Sequence, residues 1–238
     1  MIPRTCEPIA DDPLAEAEIY RDMDHTVVNR QFVDDLIAGG PVGPWVVDLG
    51  CGPAQIPILL CEAIQEDGLE SHYRPARERL RVMATDVAVE MLEIAKFEIE
   101  MAGRVEQIEL QQIDLNEPNA LHNEIADTLL CNTVLHHLDD PSNAIGLAID
   151  AAKPGGRLFI RDLYRPASET EIESLVEQYG GPESDSGELS PAQLLRQSLH
   201  AAFTLDEIRT IITPLGIDAE AVQITSDRHW TLDWTKPA

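Results

Sequence analysis

The chain has 238 residues, and its hydrophobic content of 44% is enough to build a core, which excludes wholesale disorder. Its 43 acidic residues against 17 Lys and Arg give a net charge of −26, which repels nucleic-acid phosphates and anionic lipid surfaces. We therefore expect neither a nucleic acid nor a membrane as a partner, although acidity also serves simply to keep a protein in solution. The chain has no run of about 18 apolar residues and no basic-then-apolar leader, and this favours a cytoplasmic location.

The cysteines give no sign of a disulfide or a metal site. The four cysteines are Cys6, Cys51, Cys61 and Cys131. None belongs to a C-x-x-C motif, and the last three lie in apolar stretches. We expect reduced cysteines. No clustered metal ligands are apparent in the sequence, so no metal is predicted.

Residues 1–44 are predicted to form an N-terminal arm and a helical cap. The first dozen residues contain Pro3 and Pro8, with Pro13 directly after them, and are predicted to be a loose arm. Apolar spacing then predicts helices over 14–24 and 26–38, and the glycines and prolines of 39–44 end the second helix.

From residue 45 onward, strand and helix patterns alternate. The predicted strands are 45–49, 80–86, 105–114, a segment within 125–135, and 157–164. The predicted helices between them are 54–66, 87–101 and 141–152, with a polar connection over 66–79. This alternation predicts a doubly wound α/β fold whose mostly parallel sheet binds ligands at the carboxyl ends of its strands.

The last third of the chain does not continue the alternation of strands and helices. Two helical segments within about 165–203 are predicted as a helical insertion in a domain that covers 45–238. The next helix, from 205, has Thr204 as its expected cap and Glu207 at capping-box spacing. Segments 219–225 and 229–235 are predicted to form a closing antiparallel hairpin.

The stretch VVDLGCGPAQIP, residues 46–57, places a glycine turn between the first strand and a helix. A dinucleotide fingerprint needs glycine at 55, where this chain has Gln55, and the G-K-[ST] of a P-loop is absent. Glycines also suit any tight turn, so the turn alone leaves its ligand open.

Three acids narrow the choice of ligand. Asp48, Asp86 and Asp114 are each predicted near the carboxyl end of a consecutive strand. Such a group of carboxylates repels a pyrophosphate. It suits a ligand with a positive centre, an amino group, a ribose diol and an exocyclic amine, all of which S-adenosylmethionine carries.

Residues 45 to about 163 resemble the class I S-adenosylmethionine-dependent methyltransferases of the small-molecule type. VVDLGCGPA resembles the D-x-G-x-G-x-G motif of that family, with Ala54 at its third glycine. MATD and QIDL resemble the acids that follow its second and third strands. CNTVLHHLDDP resembles its fourth-strand segment, and AAKPGGRLFIRDL its fifth. The resemblance implies a Rossmann-like seven-stranded sheet that ends in an antiparallel hairpin.

The resemblance also implies a set of cofactor contacts. Asp48 would lie near the methionine amino group, Asp86 would accept both ribose hydroxyls, and Asp114 would accept from the adenine amine. For each acid the alternative is a solvated strand end or a helix cap. The residues expected to bind the cofactor are Asp48, Gly50, Cys51, Gly52, Asp86, Val87, Met91, Asp114, Leu115 and Asn132.

Candidates for chemistry and acceptor binding are less tightly specified. His136 and His137 follow the fourth strand and Asp162 ends the fifth, and we take these three as catalytic candidates, with packing of a loop as the alternative. Arg161 and Arg165 either bind an acceptor carboxylate or pair with nearby acids. The residues expected to bind the acceptor are Tyr20, His25, Arg161, Tyr164 and Arg165.

The predicted activity is in-line methyl transfer to an O, N or C atom of a small molecule, which leaves S-adenosylhomocysteine. Two alternatives remain open, namely a module that binds the cofactor without transfer, and another chemistry that uses the same cofactor. The sequence specifies neither the acceptor nor the oligomeric state.

Overall fold

The computed structural model describes residues 2–8, 11–65, 80–184 and 189–238. The connection predicted for 66–79 and residues 185–188 of the predicted helical insertion lie outside the described residues. The seven strands are β1 (Trp45–Leu49), β2 (Arg81–Asp86), β3 (Ile108–Gln112), β4 (Ala126–Asn132), β5 (Ala152–Leu163), β6 (Val222–Ile224) and β7 (His229–Thr235). The α-helices in the described ranges are α1 (Pro13–Asp22), α2 (Thr26–Gly39), α3 (Gln55–Gln65), α4 (Val89–Met101), α5 (Ser142–Ala151), α6 (Glu169–Tyr179), α7 (Pro191–Ala201) and α8 (Leu205–Ile212).

The strands form one mixed sheet in the order β3-β2-β1-β4-β5-β7-β6. Strand β1 pairs in parallel with both β2 and β4, and β2 pairs in parallel with β3. The β5-β7-β6 end is antiparallel. The predicted Rossmann-like sheet with a closing hairpin is therefore confirmed. The jump from β3 across the sheet to β4 creates the switch in strand order beside which such sheets bind ligands.

The chain divides into two compact units. The sheet unit comprises residues 25–132, 143–160 and 232–238, and the helical unit comprises residues 1–24, 133–142 and 161–231, so far as each is described. This division assigns α1 and α2 to different units, whereas the sequence predicted one arm and cap over 1–44. The predicted domain of 45–238 with its insertion over about 165–203 stays a prediction.

Helices α2, α3 and α4 bury apolar faces in the core of the sheet unit. Phe32 and Leu60 are fully buried there, and the Phe32 ring packs edge-on against Phe159 with 5.1 Å between the centroids. The same unit buries Arg157, whose guanidinium forms two hydrogen bonds of 2.7 Å to the carboxylate of Asp233. A bidentate pair of this kind fixes orientation as well as charge.

The helical unit has its own apolar core. Ile172 and Val176 of α6 pack with Leu199 of α7, and all three are buried. Thr204 caps α8 in the predicted capping box, since its hydroxyl accepts from the Glu207 N–H while the Glu207 carboxylate accepts from the Thr204 N–H at 2.8 Å. That prediction is confirmed.

Two predicted strand starts were wrong. β3 begins at Ile108 rather than 105, because a turn in which Gln107 N–H donates to the Arg104 carbonyl precedes it. β5 begins at Ala152 rather than 157 and runs through Pro154, Gly155 and Gly156, because the two glycines pair with the backbone of Lys236. Over the described ranges, no helix has the length and apolarity needed to cross a bilayer.

Candidate active site

The glycine turn after β1 has a backbone that favours glycine at alternate positions. Gly50, Gly52 and Ala54 all have positive φ angles, of 73°, 50° and 61°. The left-handed region strains a residue with a Cβ by about 1–2 kcal/mol, so Ala54 adopts a conformation that glycine would adopt without strain. This explains why the family motif has glycine at the third position, and it shows that alanine can occupy it.

The turn is hydrogen-bonded to the end of β2. Cys51 N–H donates to the Thr85 carbonyl at 2.8 Å, and Gly52 N–H donates to Asp86 Oδ2 at 2.9 Å. The Thr85 hydroxyl in turn donates to the Asp48 carbonyl at 2.9 Å. Burial raises the pKa of the Cys51 thiol, so this side chain stays protonated and acts as packing. The glycine turn after β1 and the acid that ends β2 are therefore joined by hydrogen bonds into one site.

The strand register places Asp48 and Asp86 on one side of the sheet. Asp48 pairs with Ala84, and Asp86 lies two residues further along β2. Paired residues in a parallel ladder share a face, and so do residues two apart along a strand. Asp86 pairs with Gln112, the last residue of β3, and Asp114 follows two residues later in the loop.

Asp48 is the most perturbed carboxyl group of this site. Its side chain is 2% exposed, and no residue in the described ranges donates a hydrogen bond to its carboxylate. Burial, and then the negative charge of Asp86, raises its pKa from 3.8 to about 7. A positively charged ligand group compensates such a carboxylate, so the site fits the sulfonium and ammonium of S-adenosylmethionine.

Asp86 keeps acceptor capacity for a ligand. Its Oδ2 accepts from Gly52 and its Oδ1 accepts from Ala88 N–H at 2.9 Å, which uses two of about four lone-pair positions. The two remaining positions match the two hydroxyls of a ribose. Val87, which follows it, is 54% exposed, and Met91 on α4 is half-buried.

Asp114 and Leu115 lie in the loop after β3. Asp114 Oδ1 accepts from both the backbone N–H and the side chain of Asn116, at 2.8 and 2.9 Å, which leaves Oδ2 for a ligand. The Leu115 carbonyl accepts from the Asn143 side chain at 2.7 Å. Asn132 ends β4 at the same edge of the sheet. All ten predicted cofactor residues thus belong to the sheet unit.

The three catalytic candidates lie together in the helical unit. Asp162 Oδ1 is 2.6 Å from His136 Nδ1, and both side chains are almost completely buried. Asp162 also accepts backbone N–H groups from His136 at 3.0 Å and Leu163 at 2.6 Å. Two backbone N–H groups hold the Asp162 carboxylate, which contacts Nδ1 and so fixes the orientation of the imidazole ring.

Glu7 joins this cluster from the N-terminal arm. Its carboxylate lies 3.6 Å from His136 Nε2, hydrogen-bonds directly with His137 Nδ1, and accepts from the Ser198 hydroxyl at 2.6 Å. Burial acts to raise the pKa of Glu7, but the hydrogen bond and charge of His137 outweigh it and bring that pKa to about 2. Burial acts to lower the pKa of His137, and the Glu7 carboxylate reverses this and raises it.

Sequence reasoning missed Glu7, because the arm was predicted to be loose and is ordered. The Arg4 guanidinium donates to the carbonyls of Ala201, His136 and Leu138 at 2.6, 3.0 and 2.7 Å, and it stacks 4.0 Å from the centroid of the Phe203 ring. The only available signal was an arginine within an apolar, proline-rich start of a strongly acidic chain.

The predicted acceptor-binding residues are spread over both units. Arg165 is paired with an acid, since it donates to Glu207 at 2.6 Å, and this favours the alternative offered for it. Arg161 is buried and donates to the Thr231 hydroxyl at 2.9 Å. Three others are half-buried, with His25 in the sheet unit and the remaining two in the helical unit: Tyr20, His25 and Tyr164.

The mostly parallel sheet has a glycine turn after β1, acids near the ends of β1 and β2, and a third acid in the loop after β3. This arrangement is typical of the class of the S-adenosylmethionine-dependent methyltransferases. A family model described as "Methyltransferase domain" matches residues 43–225, and the chain belongs to that family.

Curated and structural relatives agree with this class. The chain is 30% identical over 128 residues to a ubiquinone biosynthesis O-methyltransferase of Salmonella enteritidis, a match that covers 54% of this chain and 46% of that protein. The chain thus spans about half the length of the curated relatives it matches. A SAM-dependent methyltransferase from Aquifex aeolicus has the same fold, with a TM-score of 0.62 at 17% identity over 95% of this chain and 99% of that one. An O-methyltransferase family 2 protein from Planctomyces limnophilus, in complex with apigenin, matches with a TM-score of 0.57 at 21% identity, over 88% and 57% of the two chains.

Proposed function

We propose that this chain transfers the methyl group of S-adenosylmethionine to an oxygen atom of a small molecule in the cytoplasm. The observation that carries the proposal is the buried Asp48 carboxylate, which has no donor within the described residues and lies beside Asp86 under the glycine turn. Oxygen is favoured because the curated relatives are named O-methyltransferases, and N and C acceptors are the alternatives.

The residues of the sheet unit would bind and orient the cofactor. The turn at 50–52 and Asp48 would hold the methionine end, Asp86 the ribose, and Asp114 and Leu115 the adenine. When bound, the cofactor supplies an electrophilic methyl group on a sulfonium. Alignment of such a group with its nucleophile contributes up to about 7–11 kcal/mol to the lowering of the barrier.

An acceptor hydroxyl must lose a proton, and His136 stays a prediction for the base that accepts it. Asp162 contacts Nδ1 of this ring at 2.6 Å and orients the ring, and this contact supports His136 over His137 as the candidate. His137 is a weaker candidate because its Nδ1 is engaged by Glu7. Tyr20, His25, Arg161 and Tyr164 stay predictions for acceptor binding. Arg165 would first have to leave Glu207.

Calorimetry with S-adenosylmethionine tests the first step. We expect micromolar affinity for the unmodified chain and at least tenfold weaker binding for Asp86→Ala, because the variant loses the acceptor of the ribose hydroxyls. Asp150→Ala removes an exposed carboxylate from the same unit and should bind normally. Equal affinity for Asp86→Ala and the unmodified chain would remove Asp86 from the site.

Release of S-adenosylhomocysteine tests the second step. A panel of phenols, catechols, hydroxy acids and amines is incubated with the cofactor, and the product is quantified against a reaction without acceptor. Release with a hydroxyl-bearing acceptor supports the proposal. Tight cofactor binding with no release from any class would instead favour the module that binds the cofactor without transfer.

A further inference from the structure

Three potential metal ligands converge where the N-terminal arm meets the loop after β4, in the helical unit. We propose that Glu7, His136 and His137, hereafter the arm–loop cluster, bind a divalent transition-metal ion of the Zn²⁺ class. One ligand atom from each of the three side chains lies within 4.8 Å of the other two. The sequence predicted no metal because the ligands are separated by about 130 positions, and only the fold brings them together.

The donor set decides which ions fit. Two imidazole nitrogens and one carboxylate are typical of zinc and its neighbours in the first transition row. Mg²⁺ and Ca²⁺ prefer sites made of oxygen atoms, so neither suits this cluster. Three protein ligands also leave a coordination position for water or an exogenous ligand.

The spacing of the donor atoms is close to that of a coordinated ion. Glu7 Oε1 and His136 Nε2 are 3.6 Å apart. Two ligands of a tetrahedral Zn²⁺ at about 2.0–2.1 Å each are separated by roughly 3.4 Å. His137 hydrogen-bonds directly to Glu7, and a bound ion would replace the proton of that bond. The His137 side chain is half-exposed, which gives it room to shift.

Outer partners already orient two of the ligands. Asp162 binds Nδ1 of His136 at 2.6 Å and directs Nε2 toward Glu7, which is the carboxylate–histidine arrangement common around zinc. The Ser198 hydroxyl donates to Glu7 Oε1 at 2.6 Å and holds that carboxylate. Arg4 anchors the arm that carries Glu7 by donating to four backbone carbonyls. The site therefore needs little rearrangement to bind an ion.

This inference goes beyond the proposed function, since none of the cofactor residues takes part in it. It does involve one atom of the proposed chemistry. Nε2 of His136 cannot hold a metal ion and accept a proton at the same time, so metal occupancy and base catalysis by His136 are mutually exclusive states.

Titration with Zn²⁺ after treatment with a chelator tests the proposal on the whole chain. We expect one ion per chain to bind with micromolar or better affinity, and at least tenfold weaker binding in both Glu7→Gln and His137→Ala. Both variants are chosen because neither side chain is fully buried, whereas removal of the buried His136 risks misfolding. Unchanged affinity for S-adenosylmethionine in each variant shows that it is folded.

Two control variants test whether Zn²⁺ binds at residues outside the arm–loop cluster. His122→Ala removes an exposed imidazole outside the cluster, and Cys6→Ser removes an exposed thiol near the arm. Both should bind Zn²⁺ like the unmodified chain. Absence of stoichiometric binding, or binding that survives in Glu7→Gln and His137→Ala but is lost in Cys6→Ser, would overturn the proposal. Cofactor binding is measured separately, so that failure of the metal site is distinguishable from failure of the proposed function.

Discussion

Replacement of Asp48 by Asn should stabilise the chain without cofactor at high pH and weaken its binding of the cofactor. The folded-state pKa of Asp48 is about 7, and its ordinary value is 3.8. In the pH range between these two values, Asp48 is protonated in the folded chain and ionised in the unfolded chain. Stability therefore falls as pH rises through this window and levels off above it. With these two pKa values, Asp48 removes roughly 2.5 kcal/mol of stability between pH 5 and pH 8.

Asn carries no charge at either pH, so the Asp48→Asn variant should lack this loss. We expect its stability relative to the unmodified chain to increase by about 2.5 kcal/mol from pH 5 to pH 8, as the linkage requires. Its absolute gain at pH 8 will be smaller, because a buried amide N–H without a partner costs about 1–3 kcal/mol. Urea unfolding at the two pH values, extrapolated to water, provides the measurement.

Calorimetry completes the experiment. The variant should bind S-adenosylmethionine at least tenfold more weakly at pH 8, where Asp48 is ionised and attracts the positive cofactor. Asp150→Asn, at an exposed position, should change neither quantity. A stability difference between Asp48→Asn and the unmodified chain that is the same at pH 5 and pH 8 would show that Asp48 is not the costly buried charge described above.

Three further variants or conditions test other parts of the molecule. Arg157→Met leaves the partly exposed Asp233 without its bidentate partner and should lower the free energy of unfolding by about 2–3 kcal/mol in urea titration. A loss below about 0.5 kcal/mol would mean that water replaces the pair. Thr204→Ala removes the capping box of α8 and should cost about 1 kcal/mol in the same assay, while Thr204→Ser should restore most of it. Saturating Zn²⁺ should slow transfer to hydroxyl acceptors and a chelator should restore it, whereas a rate that requires the ion would refute the prediction of His136 as the base.

The sheet and the cofactor residues were predictable because their signals are local. Asp48 and Asp86 each lie at or near the end of a strand, and the glycine turn follows β1 directly. The parallel topology then brings these features together. Even so, no pattern in the sequence showed that Asp86 would bind the turn through Gly52, because that bond depends on the register of β1 with β2.

The arm–loop cluster was not predictable for the opposite reason. Glu7 and His137 are far apart in the chain, and the segment that carries Glu7 has no helical or strand periodicity. Its position depends on Arg4 and its contacts with backbone carbonyls around 136–138 and 201, which no pattern of residue types encodes. Likewise, the extension of β5 through Pro154 and Gly155 depends on pairing with Lys236 at the far end of the chain.

The two-residue offset between Asp48 and Asp86 makes the site sensitive to the parity of insertions. One residue added within β2 would turn the side chain of Asp86 to the opposite face of the sheet, whereas two added residues would move it one pleat along the same face. Length changes among evolving copies of this chain should therefore accumulate in the connections and not in β1 to β3. In a laboratory library that varies the length of β2, every variant with an odd number of added residues would lose the binding site.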